Sequence, residues 1–120
     1  MAKILIIDDD MDTTNLMESI IKANGHQTVS VNNSMSAVEV ANSTHPDLIL
    51  LDIMMPKING IQLCKMFQSI PELMHIPIII VSALNDPGSK KDAFKAGAKD
   101  FITKPLSHAE LHQKIMNWTK

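Results

Sequence analysis

The sequence predicts an α/β domain: a parallel five-stranded sheet covered by helices on both faces. Three observations carry this expectation. Short apolar runs, several of them β-branched, recur at 4–7 (ILII), 28–31 (TVSV), 48–51 (LILL), 78–81 (IIIV) and 101–103 (FIT). Runs that are apolar at successive positions suit strands covered on both faces. Segments with helical spacing lie between them, so strand and helix alternate five times, the pattern of a parallel sheet with right-handed crossovers. Finally, the 120 residues contain no linker, repeat or low-complexity stretch. They are read as one domain, residues 1–120, large enough to bury roughly two-thirds of its unfolded surface.

Each element follows in order. The first strand stops at Asp8, Asp9 and Asp10. Asp10 reads as the N-cap of the first helix, and Asp12 as a first-turn acid favoured by the helix dipole. Leu16, Ile20 and Ile21 mark that helix's inner face, and Asn24-Gly25 can close it with a left-handed residue. TVSV forms the second strand. Met35, Val38 and Ala41 mark the second helix, which His45-Pro46 stops, because a residue before Pro avoids helical geometry. The third strand, DLILL, ends in Asp52, and Ile61, Leu63, Cys64 and Phe67 mark the third helix. Pro71 and Pro77 bracket the approach to the fourth strand, which ends in Ser82. Asp86-Pro87-Gly88 turns into the fourth helix, where Pro87 suits the first turn. Ala93, Phe94 and Ala96 mark this helix, and Gly97 ends it. FIT, the fifth strand, leads to Lys104. Ser107 and Glu110 form the S-x-x-E pattern of a capping box before a last helix marked by Leu111, Ile115 and Trp118.

Composition excludes several function classes. Net charge is −2 and there is no long basic run, which argues against direct binding of a nucleic acid backbone. Three Phe, one Trp and no Tyr give no platform for stacking bases. Cys64 is the only cysteine. Neither an intramolecular disulfide nor a cysteine metal cluster is possible, which suits a reducing compartment, and Cys64 itself reads as a small buried apolar residue. The N-terminus is too short in apolar residues for a signal peptide, and the longest apolar runs fall far short of a membrane span. A cytoplasmic protein without membrane contact is expected. His108 and His112 lie four apart in the last helix, but with no third ligand nearby in sequence they read as exposed helix residues.

In a parallel sheet of this kind, ligands bind outside the carboxyl ends of the strands. Asp8 and Asp9, Asp52, Ser82 and Lys104 all fall at those ends. An Asp at one strand end is by itself an ordinary turn residue or cap, so the weight lies in the coincidence of four strand ends. Crowded carboxylates resist ionising together unless a cation sits among them. A hard divalent cation such as Mg²⁺ takes oxygen ligands and bridges to phosphate. A lysine can balance phosphoryl oxygens as a point charge, a hydroxyl can donate to one, and a carboxylate can attack phosphorus. The chemistry inferred is Mg²⁺-assisted phosphoryl transfer onto a carboxylate.

These residues resemble the receiver domains of two-component response regulators. The likeness covers nearly the whole chain and is carried by ILIIDDD (4–10), PDLILLDIMMPKINGIQL (46–63), PIIIVSA (77–83) and GAKDFITKP (97–105). It implies a flavodoxin-like (βα)5 fold with strand order 2-1-3-4-5. It implies Asp52 as phosphoacceptor, with Lys104 and Ser82 assisting, and Mg²⁺ or Mn²⁺ held by Asp8, Asp9, Asp52 and the backbone carbonyl of Met54. Ser82 and Phe101 would form the switch, and the Lys104-Pro105 peptide would be cis. Gly60 would relax the loop before the third helix.

The implied partners are a histidine kinase or histidine phosphotransfer protein as phosphodonor, meeting the surface around Met11, Thr14 and Asn15. A downstream protein or fused output domain would read the switch through helix four, strand five and helix five, and a homodimer could form on phosphorylation. The domain would assist only its own phosphorylation and dephosphorylation, without being an enzyme. Met54 and Leu84, both apolar, would overhang the phosphoryl group without orienting water, which predicts a long-lived acyl phosphate. Two rival readings stand beside this one. Asp10 to Thr14 matches the D-x-D-x-T nucleophile motif of haloacid-dehalogenase-like phosphatases. Alternatively, the chain is a degenerate receiver that only binds partners.

Overall fold

The strand runs and helical spacings form the elements expected of them. In the computed structural model, which describes residues 2–119, β1 (Lys3–Ile7), β2 (Gln27–Val31), β3 (Leu48–Leu51), β4 (Ile78–Ser82) and β5 (Asp100–Thr103) alternate with helices. The helices are α1 (Met11–Ala23), α2 (Ala37–Thr44, entered through a 3₁₀ turn at Ser34–Ser36), α3 (Gly60–Gln68), α4 (Pro87–Lys95) and α5 (His108–Trp118). All strand pairs are parallel, in the order β2-β1-β3-β4-β5.

The continuous apolar strands divide their side chains by parity. Leu5, Ile7, Ile49, Leu51, Ile78 and Ile80 pack with Ala37, Ala41, Leu63, Phe67 and Ala93 of α2, α3 and α4. Ile4, Ile6, Leu48, Leu50, Ile79 and Val81 pack with Met17, Ile20 and Ile21 of α1 and with Leu111 and Ile115 of α5. Each such fully buried Ile or Leu contributes about 1.5–3 kcal/mol, so the sheet is a rigid base for whatever its edge carries. Cys64 is buried as expected, and burial pushes its thiol up to about 11, which makes it unreactive.

The punctuation largely follows the sequence. Asp10 caps α1, accepting from the Asp12 N–H, and Asp86 caps α4 with Pro87 in the first turn. His45, at the end of α2, and Gly25 and Gly97, beyond α1 and α4, have positive φ. Three apolar residues assigned to inner faces point outward instead. Leu16 yields the inner position to Met17, Phe94 yields it to Ala93, and Met35 lies in the 3₁₀ turn ahead of α2. The Ser107 capping box forms only by half. Ser107 Oγ accepts from the Glu110 N–H, while the Glu110 carboxylate lies 3.7 Å from Lys114. A complete capping box occurs instead at Asn59 and Gln62, opening α3.

Candidate functional site

Parallel pairing brings the expected residues to one edge. Ile7 lies opposite Val31 on one side and Leu51 on the other, so the residues after β1 and β3 leave the sheet side by side. The Asp8 N–H bonds the Val31 carbonyl and the Asp52 N–H bonds the Ile7 carbonyl, extending the ladders by one residue into the site. The Lys104 N–H bonds the Ser82 carbonyl in the same way.

Carboxylate oxygens of Asp8, Asp9 and Asp52 lie within 4.8 Å of one another. Asp8 and Asp52 are buried, at 1% and 7% exposure, while Asp9 is open to solvent. Lys104 Nζ reaches Asp8 Oδ2 at 2.8 Å and Asp52 Oδ2 at 3.3 Å. Three carboxylates thus face one ammonium, and negative charge is in excess. Two like charges at such a distance repel by roughly 3–4 kcal/mol at an effective dielectric near 20. Burial, and then the neighbouring Asp8, raise the affinity of Asp52 for a proton, and Lys104 and the Met54 N–H only partly offset them. Burial works against the charge on Lys104, but its bonds to Asp8 and Asp52 prevail and hold its pKa above the ordinary lysine value.

The donor set suits a hard divalent cation, because it is made of oxygens alone and its surplus charge is what such a cation neutralises. Asp8, Asp9 and Asp52 could each supply an oxygen. Met54 is exposed, its N–H donates to Asp52 Oδ1 at 3.4 Å, and its carbonyl accepts no hydrogen bond among the described residues. Ser82 is fully buried, and its Oγ accepts from the Leu84 N–H at 3.2 Å. Phe101 is buried in the core, and Lys90 Nζ lies 5.5 Å from its ring centroid. The Lys104-Pro105 bond is cis, as expected.

Several features of the site escaped the sequence. Asn32 donates from Nδ2 to the Asp8 carbonyl at 2.8 Å and to Thr14 Oγ1 at 3.0 Å. Thr14 in turn donates to the Asp10 carbonyl, so its buried hydroxyl braces the exit of β1 and is not a surface residue for a phosphodonor. Gly60 has a reason other than loop relaxation. A Cβ there would lie 2.7 Å from the carbonyl carbon of Asp52, and closer still to its oxygen. Only glycine lets α3 start against the backbone of Asp52. Lys57 is held at φ 70, in a tight turn where the Ile58 N–H bonds the Pro56 carbonyl and Ser34 Oγ donates to the same carbonyl. No glycine or asparagine at 57 flagged that geometry in advance. Asp10 is turned away from the cluster. It accepts from the Asp12 N–H and from Thr13 Oγ1, and these bonds, the Thr13 hydroxyl first, lower its pKa. The D-x-D-x-T match is therefore a helix cap.

Comparison with known proteins agrees with this geometry. The family model of the response regulator receiver domain matches residues 4–116. Protein RcaC of Microchaete diplosiphon is 32% identical over 95% of this chain, which spans only 18% of RcaC. The polar-differentiation response regulator DivK of Brucella ovis is 33% identical over 115 residues, 96% of this chain and 94% of DivK. Among solved structures, the signal receiver domain of a signal transduction histidine kinase from Syntrophus aciditrophicus superposes with a TM-score of 0.91 at 34% identity, covering 99% of this chain and 90% of that one. Together with the sheet order and the acidic edge, these matches establish that the chain belongs to the response regulator receiver domains of two-component systems.

Proposed function

We propose that Asp52 accepts a phosphoryl group from a phosphohistidine of a histidine kinase or histidine phosphotransfer protein, and that this switches a partner face formed by α4, β5 and α5. The observation that carries the reading is the convergence of the Asp8, Asp9 and Asp52 oxygens beside Lys104. A carboxylate oxygen of Asp52 bonds to phosphorus as the phosphorus–nitrogen bond breaks, and the donor imidazole leaves with the electron pair and picks up a proton. Asp8, Asp9, Asp52 and the Met54 carbonyl would hold Mg²⁺ or Mn²⁺. When bound, that cation neutralises charge on the carboxylates and phosphoryl oxygens. Lys104 takes up a share of the same charge.

The Ser82 hydroxyl accepts from Leu84 and donates to no group among the described residues, so its proton is free for a phosphoryl oxygen. Drawing Ser82 toward Asp52 pulls on the start of the β4–α4 connection. Phe101 is already buried, so its part is to repack against α4 rather than to leave solvent. On this reading the chain turns over no separate substrate and acts in the cytoplasm. Its output is a partner protein or an attached domain, and phosphorylation can favour a homodimer. Met54 and Leu84 place no polar side chain to orient water, which favours a long-lived acyl phosphate.

Titration with fluoroberyllate and Mg²⁺, followed by Trp118 fluorescence and amide shifts, tests the reading. Saturable, Mg²⁺-dependent binding is expected in the wild type and none in Asp52→Asn. Binding that persists in Asp52→Asn would refute Asp52 as acceptor, and no binding to either would favour a scaffold.

A further inference from the structure

We propose that the outward face of α4 docks an acidic amphipathic segment of a partner protein, and that Lys90 couples this face to Phe101. The inference rests on the switch reading above and adds the chemistry of the partner.

Four of the chain's eleven basic residues, all of which are lysines, lie within ten positions: Lys90, Lys91, Lys95 and Lys99. Lys104 and Lys114 are paired with acids, but these four make no salt bridge among the described residues. Helical spacing puts Lys91, Phe94 and Lys95 together on the face opposite the buried Ala93. Phe94 is 46% exposed, so a large apolar ring stands among ammonium groups. Like charges at i and i+4, such as Lys91 and Lys95, destabilise a helix rather than support it. Acids do little to offset them, since Asp86 is committed to Ser89 as the N-cap and Asp92 lies to one flank. This is a positive rim around an apolar anchor, on a chain whose net charge is −2. Its complement is an acidic helix with an apolar stripe. A nucleic acid is the poorer fit, because the patch covers one short helix and contains no arginine. A bilayer is poorer still, with Phe94 the only large apolar side chain of α4 exposed to enter it.

Lys90 lies at the edge of this face, one turn before Phe94, with its ammonium over the Phe101 ring. While the ring holds its present place, part of the patch's charge is directed inward by the cation–π contact. Repacking of Phe101 breaks that contact and frees Lys90 to face the partner. The packing of the ring and the charge of the patch are then two readings of one movement.

The test uses the full chain with Mg²⁺, with and without fluoroberyllate, and a fluorescein-labelled synthetic helix of glutamates with a leucine stripe. Fluoroberyllate is expected to tighten binding about fivefold, and Lys91→Glu with Lys95→Glu, or Phe94→Ala, to weaken it by about tenfold. Lys90→Met is expected to remove the fluoroberyllate-dependent gain, so that the peptide binds equally well with and without fluoroberyllate. A peptide with lysine for glutamate that binds as well, or affinity indifferent to Lys91, Phe94 and Lys95, overturns the docking surface. Tighter binding of a single-stranded oligonucleotide or of phosphatidylserine vesicles overturns it in favour of that class. A gain that survives Lys90→Met overturns the coupling. Fluoroberyllate uptake at Asp52, read in the same samples by amide shifts, reports separately on the parent reading, since the effects of Lys91, Phe94 and Lys95 on basal binding do not depend on it.

Discussion

Two clusters of acid and lysine sit on this domain, and they are built in opposite ways. At the foot of α5, one carboxylate has more donors than it needs. Asp100 accepts from Lys114 Nζ at 2.8 Å, from Trp118 Nε1 at 3.1 Å and from the Phe101 N–H at 2.8 Å. Burial opposes its charge, but the Lys114, Trp118 and Phe101 bonds together outweigh burial and lower its pKa. At the carboxyl edge of the sheet, three carboxylates share one lysine, and Asp52 is shifted the other way, by burial first and then by Asp8. The first cluster is satisfied within the fold and ties α5 to β5. The second is left short of positive charge, and that shortage is what a divalent cation would relieve.

The largest expected effect that probes this contrast comes from Gly60→Ala. Its methyl would collide with the Asp52 backbone, so the variant should lose about 3 kcal/mol or more in urea unfolding, and its site should be disordered in amide spectra. An unfolding midpoint equal to wild type would mean that the β3–α3 loop is not tightly packed. Next come Asp9→Ala and Asp12→Ala, which separate the acids of one short run. The first should weaken Mg²⁺ binding by about tenfold or more in calorimetry, whereas the second should leave it unchanged and cost a few tenths of a kcal/mol in stability. Equal losses of Mg²⁺ affinity would break the division between site and helix.

The clusters should then differ in sign. Without Mg²⁺ at neutral pH, Asp52→Asn should stabilise the fold by about 1 kcal/mol and Asp100→Asn should destabilise it by about as much. The pH dependence follows from linkage. The pKa of Asp52 is raised in the fold, so its contribution is favourable at low pH and is lost as pH rises through that pKa. That of Asp100 is lowered, so its contribution is present above the ordinary carboxylate value and lost as pH falls through the depressed one. Both variants should converge on wild type in acid, from opposite sides, in thermal melts across pH. The smallest effect concerns Met54. Met54→Asn supplies an amide that can orient water and should speed loss of the phosphoryl group several-fold; an unchanged rate would remove Met54 from the account.

Much of this could be read in the sequence, for a physical reason. In a parallel sheet every strand points the same way, so residues following distant apolar runs must share one edge. Asp8, Asp9, Asp52, Ser82 and Lys104 could be gathered without coordinates. What stayed hidden depends on close approach or on local competition. Gly60 reads as a flexible position, yet it is needed because α3 begins against the Asp52 carbonyl. Asn32 and Thr14 act on backbone oxygens, which no side-chain pattern exposes. Leu16 and Phe94 each stand beside another apolar residue, and spacing alone could not say which of the two would turn inward.

The central claim is that the crowded edge exists to place a phosphoryl group on Asp52. Incubation of the full chain with acetyl phosphate and Mg²⁺, followed by reductive trapping of the acyl phosphate and peptide mass spectrometry, tests it most directly. The account predicts a single Mg²⁺-dependent modification on Asp52, absent in Asp52→Asn and strongly reduced in Asp9→Ala. A phosphoryl group found on Asp10 or Asp12, or none under any condition, would contradict it.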